Sequence, residues 1–385
     1  MANMEEYSVQ NNKKEEESSS KIEIEEDDSS SSEIKNPFDP TKIDITVKPL
    51  IIDSLIKRMK SRPMRIDLNT EFQRLGNLWK EDAQSRLIES LLVKIPLPAF
   101  YFDGTDDNYW KIVDGLQRIT TLKKFIIDKT LRLTNLEYLK SYEHKSFDEL
   151  PTFLQGRIEE NQITAYIINP GTPPQVKFNI FKRINTGGLV LTPQEIRHAL
   201  NQGIPADFVK ELAELEVFHK ATDNVLKDSK RMEDRDFIAR FIGFYDGYDK
   251  YQPDLDSYLN KAMENLNQLS VEERDKIKHD FIKAMNASYE IFGNDAFRKR
   301  YALTEKRKPV NKALFDTWAV NLAKLSEEDI TQLILKKDKL KEMFLNLMNT
   351  DKEFEKSITS ATGDIRSVER RFSKIANLLA EVSAC

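Results

Sequence analysis

An acid, a glycine, an amide and an arginine fall within five residues, Asp114-Gly115-Leu116-Gln117-Arg118, between the apolar run Trp110 to Val113 and a stretch carrying Leu122, Phe125 and Ile126. The pattern predicts a short strand that turns tightly and enters an amphipathic helix, with Gly115 taking a backbone conformation that a Cβ would penalise. Gln117 and Arg118 then lie at the start of the helix, where free amides and the macrodipole favour an anion. A phosphate site is the chemistry this spacing would serve. The same residues also fit a plain structural account, in which Asp114 caps the helix and Arg118 is a solvated surface charge.

A second block, Phe181 to Leu200, reads as two helices joined by a glycine loop. Gly187 and Gly188 form a helix stop, Thr192 opens a capping box with Glu195, and Pro193 takes the first helical position. Arg183 and Asn185 at the end of the first helix and Arg197 in the second are candidates for one cleft. Alternatively, Arg183 complements the helix C-terminus and Asn185 caps it.

DGLQR resembles the DGQQR signature of the family that includes the sensor and nucleotide-hydrolysing half of GmrSD-type, modification-dependent restriction endonucleases. Three blocks occur in that family's order between about Ile66 and Leu200: IDLNTEFQR followed by LW and SRLIESLLVKIPLPAFYF, then DGLQR, then FKRINTGGLVLTPQEIRHAL. Leu116 stands where the family usually has its first glutamine, Phe72 where it has tyrosine, and Thr70 where proline is common. The resemblance implies a ParB/sulfiredoxin-like α+β fold and a stand-alone member without the HNH nuclease module. It implies Asp114, Gln117 and Arg118 as catalytic residues, and Gln73, Arg74, Gly115, Arg183, Asn185, Thr186 and Gly188 as contacts to a nucleotide.

Arg74, Arg118 and Arg183 would then converge on a triphosphate, where guanidinium forks match phosphate oxygens and stabilise charge built up during cleavage. Asp114 would hold Mg2+ through one carboxylate oxygen or orient an attacking water. Gln117 would position that water, and Thr120 and Thr121 are expected to bond to their own helix backbone. The expected cofactor is therefore a nucleoside triphosphate with Mg2+.

Charge is uneven. Residues 1 to 34 hold 11 acids and 3 bases, a net of −8, which leaves +3 for the rest of a chain whose formal net charge is −5. That mild surplus is compatible with a polyanion but is not the clustered basic surface of a DNA-binding domain. The acidic segment, with Ser18 to Ser20 and Ser29 to Ser32, is too apolar-poor to offset chain ordering and is expected to be unstructured. It serves as a solubilising tail or as a nucleic-acid mimic over a basic groove. No run of ~18 apolar residues and no secretory signal occur, so a cytoplasmic protein without a membrane span is expected. Cys385 is the one cysteine, which excludes an internal disulfide framework and a cysteine-rich zinc module.

The elements that must carry the site are an Ile43 to Val47 strand, an Ile51 to Met59 helix, a Met64 to Leu68 strand and an Glu81 to Val93 helix. After Pro96 and Pro98 come a strand from Ala99 to Phe102, a turn over Asp103 to Asn108, the Trp110 strand, and a last strand from Ile163 to Ile168. These make a small mixed sheet wrapped by helices. From Met232 onward the pattern is helical throughout, with a capping box at Ser270 and Glu273 and a cap at Ser326 and Asp329. Three regions follow: residues 1–36 as the acidic tail, 37–200 as the ParB-like domain and 201–385 as a helical domain. VNKALFDTW and SITSATGDIRSVERRF look like segments of stand-alone members of the same family. The basic residues Lys306, Arg307, Lys308, Arg366, Arg370 and Arg371 are either solvated helix faces or phosphate contacts. Trp318 and Phe372 fall at core spacing.

The chain lacks a GxxxxGK[ST] loop, an HExxH motif and a glycine-serine elbow. Its histidines, His144, His198, His219 and His279, do not form an HNH pair. The leading expectation is a nucleotide-binding, NTP-hydrolysing sensor or regulatory component of a bacterial DNA restriction or anti-phage defence system, with DNA and a separate nuclease subunit as partners. A non-catalytic ParB-like adaptor that binds nucleotide or DNA is the second expectation, and Leu116 favours it. A nuclease using the ParB-like domain is the third. Oligomeric state is left open.

Overall fold

The computed structural model describes residues 22–23, 43–67, 79–106, 108–184, 192–227, 229, 231–302 and 304–384. The chain divides into two compact units, Phe38–Leu191 and Thr192–Cys385, and the described residues Ile22 and Glu23 belong with the second.

The first unit is α+β. In chain order it holds β1 (Ile45–Ile51), α1 (Ile52–Lys60), β2 (Ile66–Asp67), α2 (Glu81–Leu92), β3 (Phe100–Asp106), β4 (Tyr109–Asp114), α3 (Leu116–Leu122), α4 (Thr152–Glu159), β5 (Gln162–Ile168) and α5 (Pro174–Ile184). The strands form one mixed five-stranded sheet in the order β1-β5-β3-β4-β2. β1 pairs antiparallel with β5, β5 parallel with β3, β3 antiparallel with β4, and β4 parallel with β2. Pro49 is tolerated in β1 because an edge strand needs ladder donors on one side only.

One face of the sheet is closed by helices. Ile52, Leu55, Ile56 and Met59 of α1, Ile88, Leu91 and Leu92 of α2, and Ile119 and Leu122 of α3 bury against Phe100, Phe102, Trp110 and Ile112. A single wide π turn, Lys123–Ile127, extends α3 and carries Phe125 and Ile126 into the same core. Glu89, buried on α2, accepts the successive amides of Glu137, Tyr138 and Leu139 at 2.8 to 2.9 Å and so pins the long connection before α4. Burial pushes its carboxyl up, and those three bonds outweigh it and hold the group below its ordinary value.

β3 departs from the sequence expectation. It runs on through Asp103, Gly104 and Thr105, which read as turn residues, and ends at Asp106. Two features permit this. Lys177 of α5 donates to both oxygens of the Asp103 carboxylate at 3.1 and 3.3 Å, and to Thr105 Oγ1, which cancels the cost of a buried charge in a strand. At Gly104 a Cβ would lie 2.5 Å from the Ile167 side chain of the neighbouring strand, so glycine leaves room for that side chain. β2 covers Ile66–Asp67, starting two residues later than the Met64 expected, and Leu68 lies outside the described residues.

The second unit is helical: α6 (Pro193–Leu200), α7 (Ile204–Ala213), α8 (Glu216–Ala221), α9 (Glu233–Tyr245), α10 (Leu255–Asn265), α11 (Val271–Phe292), α12 (Lys312–Ala323), α13 (Glu327–Leu335), α14 (Lys337–Thr350), α15 (Lys352–Ser357) and α16 (Ile365–Ala384). The caps read from sequence form as expected at Thr192, Ser270 and Ser326. Helix α6, assigned on sequence to the first domain, belongs to this unit. Its Arg197 is fully enclosed and donates to Gln194, Asp256 and Asp236, and its Glu195 takes Arg231 at 2.6 Å. The helical pattern that follows the Ser326 cap is two helices, α13 and α14, which meet at Lys336.

The core of this unit is aromatic. Phe237, Phe281 and Phe315 of α9, α11 and α12 meet around Phe218 and Phe241, and Trp318 packs edge-on to Phe292 and Phe344. Trp318 and Phe372 are both buried, as their spacing predicts. Arg240 forks onto Asp316, which Arg371 also reaches.

Two residues of the acidic segment are described, and they are paired. Ile22 bridges to Val310 in parallel and packs against the helical core, while the amide of Glu23 donates to the Val310 carbonyl at 2.8 Å. The Glu23 carboxylate takes Lys299 at 2.5 Å and Asn311 at 3.0 Å. The rest of residues 1–36 lies outside the described residues.

Candidate functional site

The site begins with a bulge. Phe102 faces Ile112 and Asp103 faces Lys111, but Tyr101 faces Asp114, so β4 carries one extra residue, Val113, opposite this part of β3. Without the bulge Asp114 would fall on the helix-covered face with Ile112. With it, Asp114 shares the other face with Tyr101, which shows how one inserted residue re-aims a side chain.

Gly115 then turns the chain at φ +102°. A Cβ there would sit 2.5 Å from Phe100 Cδ1 and 3.3 Å from Arg118 Nη2, so both backbone conformation and space require glycine. The opening Cβ-free notch lets Arg118 fold back. Its guanidinium lies over the Phe100 ring at 4.2 Å, donates to Asp114 Oδ2 at 2.7 Å and to the Ala99 carbonyl at 3.1 Å, and also donates to the Pro98 carbonyl. The Arg118 side chain is 9% exposed and that of Asp114 is 32% exposed. Burial lowers the guanidinium from its ordinary value, and Asp114 acts against that shift.

Neither half of the plain structural account holds. The helix cap position is Gly115, without a side-chain cap bond, so Asp114 is not a cap. Arg118 is enclosed rather than solvated. The arginine is equally unlike a free phosphate fork, since both of its terminal nitrogens are engaged with the chain. It holds the Asp114 carboxylate in position and ties α3 to the segment before β3.

Gln117 lies alongside, and its Oε1 accepts the Trp79 amide at 3.3 Å. Thr121 bonds to the Gln117 carbonyl at 2.8 Å, the local role expected for it. Gln73, Arg74, Asn185, Thr186, Gly187 and Gly188 lie outside the described residues, as does the side chain of Arg183, whose backbone lies in the last turn of α5. Of the residues singled out from sequence, the structure therefore brings together Asp114, Gly115, Gln117 and Arg118. It removes Arg197 from the set, because that guanidinium is spent on Asp236 and Asp256 within the helical unit. Among the basic residues of that unit, Arg307 pairs with Asp223 and Asp295, and Arg371 is buried on Asp316 and the Thr362 carbonyl.

Asp103 and Lys177 were not anticipated. The signal was a lysine set between Val176 and Phe178, two buried positions of α5, which only an acid in the sheet beneath could accommodate. Among the described residues no group of three or more His, Cys, Asp or Glu side chains is arranged to hold a metal ion. A magnesium ion bound mainly through phosphates needs only one or two carboxylates, and Asp114, half-exposed with Oδ2 on Arg118, fits that lesser demand. No helix among the described residues is long and apolar enough to cross a membrane.

No curated protein and no solved structure matches the chain. Residues 52–202 match the family model described as GmrSD restriction endonuclease, N-terminal domain. That span contains the whole of the β2 to α5 segment and the Asp114 turn. Residues 52–202 thus belong to the N-terminal domain family of the GmrSD restriction endonucleases, the family whose motif order their sequence resembles.

Proposed function

We propose that the protein binds a nucleoside triphosphate with Mg2+ beside the turn after β4, hydrolyses it there, and acts as the sensor or regulatory component of a bacterial DNA restriction or anti-phage defence system. The setting rests on the GmrSD-type domain at residues 52–202. The single observation that carries the chemistry is the Asp114 carboxylate, aimed by the bulge at Val113 and held by Arg118 across the Gly115 turn.

In this reading Asp114 receives Mg2+ or orders the attacking water, and Arg118 is a positioning residue rather than a phosphate ligand. Bound Mg2+ would neutralise charge on the phosphate oxygens. Arg74 and Arg183 supply the cationic forks, with Gln73, Asn185, Thr186 and Gly188 lining the nucleotide, and Gln117 orients the water that attacks the terminal phosphoryl group. The domain is ParB-like, the protein works in the cytoplasm, and DNA and a separate nuclease subunit are its partners.

The non-catalytic adaptor is the second reading, favoured by two features: both terminal nitrogens of Arg118 already donate within the chain, and Leu116 adds no polar group. One assay separates the two. Protein is incubated with each nucleoside triphosphate and Mg2+, with and without plain or modified DNA, while phosphate release and DNA cleavage are followed. Hydrolysis that Asp114→Ala abolishes supports the first reading. Binding without turnover supports the second, and no binding of any nucleotide removes both.

A further inference from the structure

The register that sets Asp114 opposite Tyr101 continues across the sheet. Tyr101 of β3 is level with Tyr166 of β5, and Tyr166 with Val47 of β1, so Asp114, Tyr101, Tyr166 and Val47 form one row on one face. The two tyrosine rings stack with centroids 4.7 Å apart and planes 12° from parallel. That separation equals the spacing of neighbouring strands, about 4.7 to 4.9 Å, so the rings stand up from the sheet side by side. Each covers one face of the other, and their outer faces look along the row, Tyr101 toward Asp114 and Tyr166 toward Val47.

This part of the face is open. Along β5, Gln162 and Thr164 are exposed, Tyr166 is half-buried, and only Ile168 is covered. Val47 is 53% exposed and lies on β1, the last strand on this side of the sheet among the described residues. A stacked aromatic pair with one outer face beside an exposed apolar residue is a poor way to complete a core. It is well suited to receive a flat ring. Burial raises the Tyr101 hydroxyl above its ordinary value, with Tyr166 and Asp114 adding to the shift, so Tyr101 remains a neutral aromatic surface.

We infer that the outer face of Tyr166, floored by Val47, is the nucleobase subsite of the nucleotide proposed above, an inference that rests on that reading. From Asp114 to Val47 the row spans three strand spacings, about 14 Å. An extended nucleoside triphosphate covers that reach, with its terminal phosphates at Asp114 and its base on Tyr166. Stacking on an aromatic ring discriminates weakly among bases, because every base has a π face. The subsite therefore accepts purines and pyrimidines alike, with preference set by ring area.

The experiment compares binding of ATP, GTP and inorganic tripolyphosphate, each with Mg2+, to the full chain by calorimetry. Tyr166→Leu keeps apolar bulk and removes the ring, and Tyr166→Phe keeps the ring. The expected result is affinity for ATP and GTP about ten-fold or more weaker in Tyr166→Leu, with tripolyphosphate affinity unchanged and Tyr166→Phe like the wild type. Equal losses for nucleotide and tripolyphosphate, or no loss for either, overturn the subsite. Failure of the underlying reading looks different, because the unaltered protein would then bind neither tripolyphosphate nor nucleotide.

Discussion

Tyr101 and Asp114 are cross-strand partners only because Val113 is an extra residue in β4. The sheet thereby turns a carboxylate from its helix-covered core to the face that carries the tyrosine pair. Arg118 reaches the same carboxylate from the first turn of α3 and fixes its second degree of freedom, the side-chain rotation. A bulge and an ion pair together set the position and the orientation of one acid.

Arg118 then has a structural task that can be measured apart from any activity. Arg118→Ala leaves the Pro98 and Ala99 carbonyls without their donor and Asp114 without its counter-charge, so the first unit should lose about 2–3 kcal/mol. Arg118→Lys restores the charge but not the fork, and should recover less than half of that loss. Urea unfolding of the three proteins reads the difference. Equal stability of Arg118→Ala and the unaltered protein would mean that the guanidinium is not held as described.

The Glu23 contact gives the acidic N-terminal segment a fixed point. Lys299 is buried, and its ammonium meets only the Glu23 carboxylate and the Thr359 hydroxyl among the described residues. Glu23→Gln should therefore destabilise the helical unit by about 1–2 kcal/mol, the cost of leaving a buried cation with neutral partners. Removal of residues 1–24 should cost slightly more, because the Ile22 packing goes too. Differential scanning calorimetry with the two variants tests this, and unchanged melting would show that the segment does not dock in solution.

Most elements of the first unit were legible from apolar spacing. Leu87, Ile88, Leu91 and Leu92 mark a helix face and Trp110 to Val113 a buried strand, because periodicity reports the side facing a core. The bulge was not legible. Nothing in WKIVD distinguishes four paired residues from three paired and one inserted, and the choice is made by the partner strand. Asp103 was misread for a related reason: an Asp-Gly pair signals a turn locally, and its use inside a strand depends on Lys177, 74 residues away. Arg197 was misassigned because its neighbours in sequence are a family motif while its partners, Asp236 and Asp256, come from two later helices.

Asp280 sets an acid limit on the helical unit. Its side chain is 11% exposed, and burial alone would raise its carboxyl, but hydrogen bonds from Tyr245 at 2.6 Å, Lys276 at 3.0 Å and Lys283 at 3.2 Å prevail and hold it down at about 2. The folded value lies below the ordinary 3.8, so folding favours the ionised form. That contribution is complete above pH ~4 and is lost as pH falls toward ~2. The stability gap between the unaltered protein and Asp280→Asn should be of order 2 kcal/mol at pH 6 and should close by pH 2. Denaturant unfolding across that range measures it, and a gap independent of pH would place the effect in packing rather than in charge.

The Asp103 and Lys177 pair is a contact by which α5 is held to β3, and the last turn of α5 carries Arg183, which the proposed site needs. Both side chains are buried, so removing one leaves an uncompensated charge. Lys177→Met should cost about 3–5 kcal/mol, and Asp103→Asn should cost a similar amount because the buried ammonium then keeps only neutral partners. The double variant should be more stable than the Lys177→Met single, since two neutral groups of similar size need no counter-charge. Coupling of at least about 1 kcal/mol in the double-mutant cycle is the expected result. Additive losses would mean that the two groups act independently and that α5 is held by its apolar residues alone. Nucleotide binding supplies the second half of the test: if α5 positions the arginine, the double variant should recover fold stability without recovering full affinity, because a neutral pair restores packing but not the direction of the helix end.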